Sequence, residues 1–252
     1  MMNRILAASL LMASSLPAFA LNPAEQKQVE HIIQLFKQNN AQAVAQSVQY
    51  PLNREAPLPA IQNAKEMQQR FAQVFDAQLK RDIAQSKLSQ WDAVGWRGIM
   101  LDSGKVWMSE GKITAVNYSS PAEQQLKKQL IAQQKQSLHP SLRSFKAPVF
   151  SFATQSFAVR IDELPNGQYR YASWKAGQAQ SAKPALVLNK GAVQFDGSGG
   201  NHHYDFKSGS YSYTVERNII GASETPEVNL IVKQAGKVIL NQAGSLLTNA
   251  KS

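Results

Sequence analysis

The strongest constraint on the fold is a change in hydrophobic period near Val149. From there onward, apolar and polar residues alternate in short runs, and glycines such as Gly191 and Gly209 mark most of the apparent turns. Alternation with a period of two places one set of side chains on each face of a strand, so these runs predict β-strands. Seven or eight short strands predict an antiparallel sandwich or a small barrel over residues 148–252, and the sequence leaves that choice open.

The N-terminal half instead carries the signals of helices. Asn22 stands at an N-cap position, Pro23 takes the first helical position, and Glu25 has the spacing of a capping box. Residues 63–86 predict one long helix, because their apolar residues recur at three- and four-residue spacing. Residues 95–118 return to a period of two and predict three antiparallel strands, with Trp96 and Arg97 on opposite faces of the first.

The first twenty residues have the composition of an export signal. Arg4 supplies a positive start, and the apolar core that follows is too short and too serine-rich for a stable transmembrane span. Ala18 and Ala20 occupy the small-residue positions of a signal-peptidase site, for which a buried N-terminal helix would give no reason. We therefore predict residues 1–20 to be a signal peptide cleaved after Ala20, and a periplasmic or secreted protein without a transmembrane anchor.

Composition fits an exported, folded chain. The sequence contains no cysteine, so it forms no disulfides, and the roughly 230 residues after the signal are enough to bury a core without them. Removing Arg4 leaves 26 basic residues against 17 acidic ones, a formal charge of +9 with neutral histidines. The basic residues are scattered, which predicts a solvated surface that can meet an acidic partner or a cell-wall polymer. Export argues against nucleic acid as a partner.

Three elements of the N-terminal half occur in a familiar order. They are Tyr50-Pro51-Leu52, a helix carrying Val74-Phe75 through Ile83, and a hairpin with Gly98-Ile99-Met100-Leu101, Gly104 and Val106-Trp107. With these elements, residues 24–119 resemble the exported bacterial cone-shaped α+β domains of the nuclear transport factor 2-like superfamily. The resemblance implies a sheet curled around a helix with an open-ended pocket, where enzymatic members place an Asp–His or Tyr–Asp pair. The one histidine here, His31, has no evident aspartate partner.

We therefore predict an α+β fold with two domains. Residues 21–119 form the cone-like α+β domain, and residues 148–252 form the antiparallel β-domain. Residues 120–147 connect them as a polar helix, whose apolar face is narrow, followed by an extended segment.

Aromatic residues of the N-terminal half are candidate ligand contacts. At the mouth of the cone they would stack on a small ligand, with an arginine as an anion contact; alternatively, they fill the core of the domain. The candidates are Trp91, Trp96, Arg97, Trp107 and Tyr118.

The segment FDGSGGNHHYDF, residues 195–206, combines glycines, histidines and an aspartate. A phosphate-binding loop needs glycines that lead into a helix, whereas these lead into an alternating aromatic strand. His203 and Asp205 share one strand face, but two ligands are too few for zinc, so we predict no metal and no other cofactor. The segment therefore predicts a hairpin with its turn at residues 197–200 and a surface pair of His203 with Asp205.

Tyrosines on two strands, together with this hairpin, are candidate partner contacts. Tyrosine ladders with small hydroxyl neighbours stack on sugars or contact proteins, and they also form cross-strand packing pairs. The candidates are Tyr169, Tyr171, Ser198, His202, His203, Tyr211 and Tyr213.

These features predict a non-enzymatic binding protein of the envelope that contacts an envelope protein, a cell-wall component or a small ligand. The sequence has no cysteine nucleophile and no G-x-S-x-G elbow. Ser198, Gly199 and Tyr204 resemble the S-G-x-x-Y loop of membrane-bound inhibitors of C-type lysozyme, although the spacing differs and the family's usual cysteines are missing. One alternative is accordingly an inhibitor or immunity protein against a cell-wall hydrolase. Another is a hydrolase with an unrecognised site.

Export predicts a defined mature N-terminus. When the full chain is expressed with its own first twenty residues in a bacterium that secretes through signal peptidase, we expect the recovered protein to begin at Leu21. Intact-mass spectrometry measures this, and Ala18→Arg together with Ala20→Arg should leave the chain uncleaved. Recovery of the unprocessed wild-type chain from the cytoplasm would contradict the prediction.

Overall fold

A computed structural model describes residues 20–247, which form two compact units. The first unit comprises the described chain up to Asn53 together with Ile61–Ser120, and the second comprises Arg54–Ala60 and the described chain from Pro121. The first contains a four-stranded antiparallel sheet and the second a closed eight-stranded barrel, which confirms the mixed α+β class and selects the barrel over the sandwich. Apart from Ala20, the predicted signal lies outside the described residues. No helix in residues 20–247 is long and apolar enough to cross a membrane.

The first unit packs helices against one face of its sheet. Its strands pair antiparallel in chain order, and alternate residues of each strand point into the shared core. The helices are α1 (Pro23–Lys37), α2 (Ala41–Gln46), α3 (Ala64–Val74) and α4 (Ala77–Ala84), and the strands are β1 (Trp91–Ala93), β2 (Ile99–Leu101), β3 (Val106–Ser109) and β4 (Lys112–Val116).

Helix α1 begins as the sequence predicts. The Asn22 side chain accepts hydrogen bonds from the main-chain N–H groups of Ala24 and Glu25 at 2.9 and 3.0 Å, and the Glu25 carboxylate accepts from the Asn22 N–H at 2.8 Å. This capping box satisfies N–H groups that have no partner within the helix. Val29 and Ile32, which lie one turn apart on the helix, are fully buried.

The single helix predicted over residues 63–86 is wrong, because the helix breaks at Phe75. Phe75 leaves the helical conformation with φ −106° and ψ 74°, and Asp76 then caps α4 by accepting the Leu79 N–H at 2.8 Å. Phe75 remains buried beside Phe36 and Phe71, so the apolar period continues through the break. Periodicity alone therefore could not reveal the second N-cap.

The strand predicted to begin with Trp96 begins at Ile99 instead. Gly95–Arg97 form a 3-10 turn, closed by hydrogen bonds from the Gly98 N–H to the Gly95 carbonyl at 3.1 Å and from the Val94 N–H to the Gly98 carbonyl at 2.8 Å. Trp96 and Arg97 consequently do not alternate across a strand, and that prediction is wrong.

The second unit consists of one helix and the barrel. Neighbouring strands pair antiparallel throughout, and closure is made where the last strand meets the first. The elements are α5 (Pro121–Ser137), β5 (Ala147–Thr154), β6 (Phe157–Glu163), β7 (Tyr169–Lys175), β8 (Leu186–Phe195), β9 (His202–Ser208), β10 (Tyr211–Arg217), β11 (Val228–Gln234) and β12 (Lys237–Leu246).

One predicted turn in the barrel sequence is a bulge. Gly191 lies inside β8, and beside it Lys190 adopts φ 66° while the register with β7 shifts. A Cβ on Gly191 would lie 2.1 Å from the ring of Phe206, so the glycine admits this ring into the barrel core. The glycine that predicted a break between strands is required for packing within one strand.

Helix α5 and the segment after it pack on the barrel. Ile131 of α5 contacts a buried cluster that includes Leu142 and Phe145 of the connecting segment and Trp174 of β7. The Gln134 side chain accepts a hydrogen bond from the Arg160 guanidinium at 2.9 Å. The predicted connector is therefore packed on the wall of the barrel unit through one apolar cluster and polar anchors.

A buried ionic cluster strengthens this attachment. The fully buried Asp162 carboxylate accepts hydrogen bonds from Arg160 Nε at 2.8 Å and from Arg170 Nη2 at 2.6 Å. Arg170 also donates to two main-chain carbonyls of the connecting segment at 2.7 and 3.0 Å. The Phe145 ring lies 5.1 Å from one guanidinium and 5.9 Å from the other. Two buried cations thus depend on one carboxylate.

Removing that carboxylate should destabilise the barrel unit strongly. We expect Asp162→Ala to lower the free energy of unfolding by about 3–5 kcal/mol, because it leaves two buried arginines without their anion. The matched control is Glu163→Ala on the same strand, which breaks an ion pair to the exposed Lys146 and should cost less than about 1 kcal/mol. Urea denaturation measures both, and equal losses would contradict the prediction.

Candidate functional site

Two loops emerge at the same end of the barrel. They are the β8–β9 loop, residues 196–201, and the β10–β11 loop, residues 218–227, and we refer to them as the paired loops. Phe195 lies opposite His202 in the ladder, and the Asp196 N–H donates to the Asn201 carbonyl at 2.8 Å. The predicted hairpin at FDGSGGNHHYDF is therefore confirmed.

The side chain of Asn201 joins the paired loops. Its Oδ1 accepts from the main-chain N–H groups of Ile219 at 2.8 Å and Ile220 at 2.9 Å, and its Nδ2 donates to the Ile220 carbonyl at 2.9 Å. Both ends of the amide are thus used on one turn of the opposite loop. A Cβ on Gly199 would lie 2.2 Å from Ile220 Cδ1, so the two loops approach closely here.

The base of the β10–β11 loop is also braced. Asn218 donates through Nδ2 to the Pro226 carbonyl at 2.8 Å and through its main-chain N–H to the Glu227 carbonyl at 3.0 Å. Arg217 Nη1 donates to the same Glu227 carbonyl at 2.9 Å. Burial lowers the pKa of the Arg217 guanidinium, and the Glu227 carboxylate opposes this shift. The loop is held at its base by polar contacts and near its start by Asn201.

Three large apolar side chains at this end of the barrel face solvent. Phe195 is 70 % exposed, Ile219 53 % and Ile220 49 %, and we term these three residues the apolar platform. Single exposed apolar residues are common on proteins. A group of them at one end of a barrel, next to loops fixed by hydrogen bonds, is instead typical of a preorganised contact surface.

Shallow cavities flank the β10–β11 loop. One of 280 Å³ is lined by residues 217–222 with Thr225 and Glu227, and one of 470 Å³ lies between residues 225–227, 153–155 and 243–245. Two further grooves, of 530 and 570 Å³, lie along α1 in the first unit. The smaller of the two cavities beside the loop is lined in part by Ile219 and Ile220 of the apolar platform.

His203 lies between two carboxylates on the outside of the hairpin. Its Nδ1 is 3.0 Å from Asp196 Oδ1, and its Nε2 is 3.5 Å from Asp205 Oδ2. The second pair was predicted from strand alternation, whereas Asp196 was missed because it meets His203 across the turn. Within residues 20–247, no three His, Cys, Asp or Glu side chains are arranged to hold a metal ion. Ser198 is exposed, and His202 is half-buried against Phe195.

The tyrosines predicted as partner contacts pack in the barrel core. Tyr171 is buried, with its ring 5.7 Å from that of Tyr213, and Tyr169 lies 4.9 Å from Tyr204. Burial raises the pKa of Tyr171 to about 12, so its hydroxyl is protonated at neutral pH. Tyr211, like Tyr169 and Tyr213, is half-buried against this core. Partner contact through Tyr171 is wrong, and the packing alternative describes all four tyrosines.

The aromatic residues predicted to share a ligand pocket differ in exposure. Trp91 is buried in the core of the first unit and donates its indole N–H to Ser86 at 2.9 Å, whereas Trp96 is exposed on the 3-10 turn. Trp107 is half-buried, with the Arg97 guanidinium 5.6 Å from its ring. Neither Trp96 nor Trp107 lines any of the four cavities described above. Trp91 is too buried to contact a ligand, and a pocket that involves the other residues of this set stays a prediction.

The structure contains a Tyr–Asp pair that sequence reasoning missed. Tyr118 donates its hydroxyl to Asp76 Oδ2 at 2.7 Å, while the other oxygen of Asp76 caps α4. Desolvation, followed by the hydrogen bond to Asp76, raises the pKa of Tyr118 to about 12. At neutral pH the phenol is thus a hydrogen-bond donor, and capping gives the aspartate a structural role. The residues are too far apart in sequence to form a motif.

Comparison with known proteins does not add a relative. No protein-family model matches the chain, and the searches of curated proteins and of solved structures found no significant match. The resemblances to cone-shaped domains and to lysozyme inhibitors therefore stay predictions.

The Asn201 amide should control the order of the β10–β11 loop. We expect Asn201→Ala to speed amide hydrogen exchange at Ile219 and Ile220 by about tenfold or more, because their N–H groups lose their acceptor. Hydrogen exchange with mass spectrometry measures this, and Asn241→Ala at an exposed position of β12 is the matched control. Unchanged exchange at both isoleucines would contradict the role of Asn201.

Proposed function

We propose that this chain is a non-enzymatic binding protein that contacts a partner protein through the apolar platform. The observation that carries the proposal is the exposure of Phe195, Ile219 and Ile220 at the barrel end whose loops Asn201 locks together. The resemblance of the N-terminal unit to cone-shaped domains concerns the expected fold of that unit and does not support the partner contact.

Preorganisation is the physical basis of this proposal. Binding orders side chains and loops, and a surface that is already ordered loses less entropy on association. Contacts that dominate affinity are large apolar or aromatic side chains near the centre of an interface with a polar rim. Phe195 and the two isoleucines supply such a centre, and the exposed Asp196, Ser198 and Glu224 supply polar neighbours.

Partner binding is better supported than catalysis or small-ligand binding. Asp76, which accepts a hydrogen bond from Tyr118, caps a helix, and Trp91, proposed for a ligand pocket, is buried in the core. The cavities beside the paired loops are open recesses in an interaction surface.

The predicted export signal would deliver this surface to the bacterial envelope. There the positive charge of the chain would favour an acidic partner and slow its encounter with basic proteins. We therefore propose as the partner an envelope protein whose apolar patch contacts the platform. A cell-wall polymer is the alternative that the experiment below distinguishes.

Site-specific photo-crosslinking in cells tests the proposal. With a benzoyl-phenylalanine at position 195 or 219, we expect one discrete crosslinked protein, and Asn201→Ala should weaken that band several-fold by loosening the loops. The matched control carries the same photo-crosslinker at Val187, an apolar position of β8 whose exposure is lower. Equal crosslinking from position 187, or none from the platform, would overturn the proposal.

Two further assays identify the alternatives. The first assay measures binding to purified peptidoglycan by co-sedimentation. Saturable binding that persists at moderate salt and in the Phe195→Ser variant would favour the cell wall, because a purely electrostatic contact weakens with ionic strength. The exposed Ser198 at the tip of the β8–β9 loop favours a second candidate, a hydrolase inhibitor. That candidate would be supported if the protein slows the lysis of peptidoglycan by a C-type lysozyme and the Ser198→Trp variant does not.

A further inference from the structure

The strand β12 has a long open edge. On one side it pairs with β11 over Lys237–Gly244, but on the other it meets β5 only over Gly244–Leu246. Lys237–Ala243 therefore face no strand on the β5 side in the part of the chain that the structure describes. At the spacing of a β-strand, seven residues span about 20 Å of main-chain N–H and C=O groups.

The outer edges of the sheet in the first unit are covered or short. The outer edge of β4 is covered at Ile113, which exchanges main-chain hydrogen bonds with Ser47 and Gln49 at 2.8 Å. At the other side of that sheet, β1 is only three residues long. Proteins shorten or cover edges in this way because an open edge is a template for another strand. The edge of β12 has no pairing strand over Lys237–Ala243. Only Gln242 contacts the β5–β6 turn there, donating to Ser156 Oγ at 2.8 Å and accepting from the Ser156 N–H at 3.3 Å, so Lys237–Asn241 stay uncovered.

The side chains along this edge also favour pairing. Val238 is 50 % exposed and Ile239 52 % exposed, and both are β-branched residues that suit strands. A bulge near Ile239 and the charge of Lys237 protect the hairpin end of the edge. From Val238 to Leu247, however, the sequence has no charged residue and no proline.

We propose that the open edge of β12 pairs antiparallel with the same edge of a second copy of this chain. Antiparallel pairing about a two-fold axis is self-complementary, so one edge supplies both halves of the interface. For any axis within Val238–Leu240, Lys237 lies opposite an uncharged residue of the copy within Ile239–Ala243. Like charges are therefore not forced together, and apolar side chains of both copies line the new ladder.

A second copy fits this edge better than an unrelated strand because of charge. The β11–β12 hairpin carries Lys233 and Lys237, and residues 228–247 contain no carboxylate. The hairpin therefore has no pattern of opposite charges that would favour a strand of another protein. Pairing between two identical uncharged edges does not require complementary charges. The proposed dimer uses β12 and does not depend on the apolar platform or on the proposed function.

Sedimentation velocity of the full exported chain tests the inference. We expect a concentration-dependent dimer at micromolar to hundreds of micromolar protein, and the double variant Val238→Lys with Ile239→Lys should raise its dissociation constant at least about tenfold. The matched control is Ile219→Lys with Ile220→Lys, two exposed isoleucines of the same unit, which should leave the dimer unchanged. Circular dichroism verifies that both variants fold.

Cysteine crosslinking reports where the copies meet. Because the chain has no cysteine of its own, Ile239→Cys should form a disulfide-linked dimer by itself if the axis lies at Ile239, or when mixed with Asn241→Cys if the axis lies at Leu240, while Phe195→Cys should not. A strictly monomeric wild-type chain, a dimer lost in the Ile219 and Ile220 variant, or crosslinking only through position 195 would overturn the inference. Failure of platform crosslinking to a partner would leave this result unaffected and would count against the proposed function alone.

Discussion

The packing of aromatic rings inside the barrel is the interaction on which the second unit depends. Phe152, Tyr171, Tyr204 and Phe206 are buried at inward positions, and Gly191 of β8 admits the Phe206 ring. An eight-stranded barrel is just wide enough for side chains to fill. Because these rings occupy the interior, the side chains available for recognition lie at the loops and strand edges. This constraint explains why contact surfaces, and not an internal pocket, emerge as the candidate sites.

Local features were predictable from sequence to the extent that neighbouring residues determine them. Asn22 and Glu25 specify the first helix through their own hydrogen bonds, and the alternation through residues 202–206 correctly separated His203 and Asp205 from Tyr204 and Phe206. Such signals lie within a few residues of the groups they fix. The α+β class followed from the same two periods.

The remaining features depend on contacts between distant residues. Asp76 follows the end of α3, caps α4 and accepts a hydrogen bond from the Tyr118 hydroxyl. The spacing of apolar residues carries no signal for these contacts. Tyr169 and Tyr171 looked like a binding ladder because alternation does not distinguish the inner from the outer face of a barrel. The role of Asn201 could not be predicted either, since its partners Ile219 and Ile220 lie far from it in sequence. Pairing of β9 with β10 brings Asn201 beside these isoleucines, and packing of the first unit brings Tyr118 to Asp76.

The short seam between β12 and β5 has a consequence for how the native barrel loosens. Only Phe152–Thr154 and Gly244–Leu246 form that ladder, whereas the ladders on either side are longer. Local opening occurs where the fewest hydrogen bonds hold neighbouring strands together, so transient opening of the barrel begins with the separation of β12 from β5. The Phe152 ring would be the first part of the interior to meet water. Gly244–Leu246 of β12 therefore hold the barrel closed.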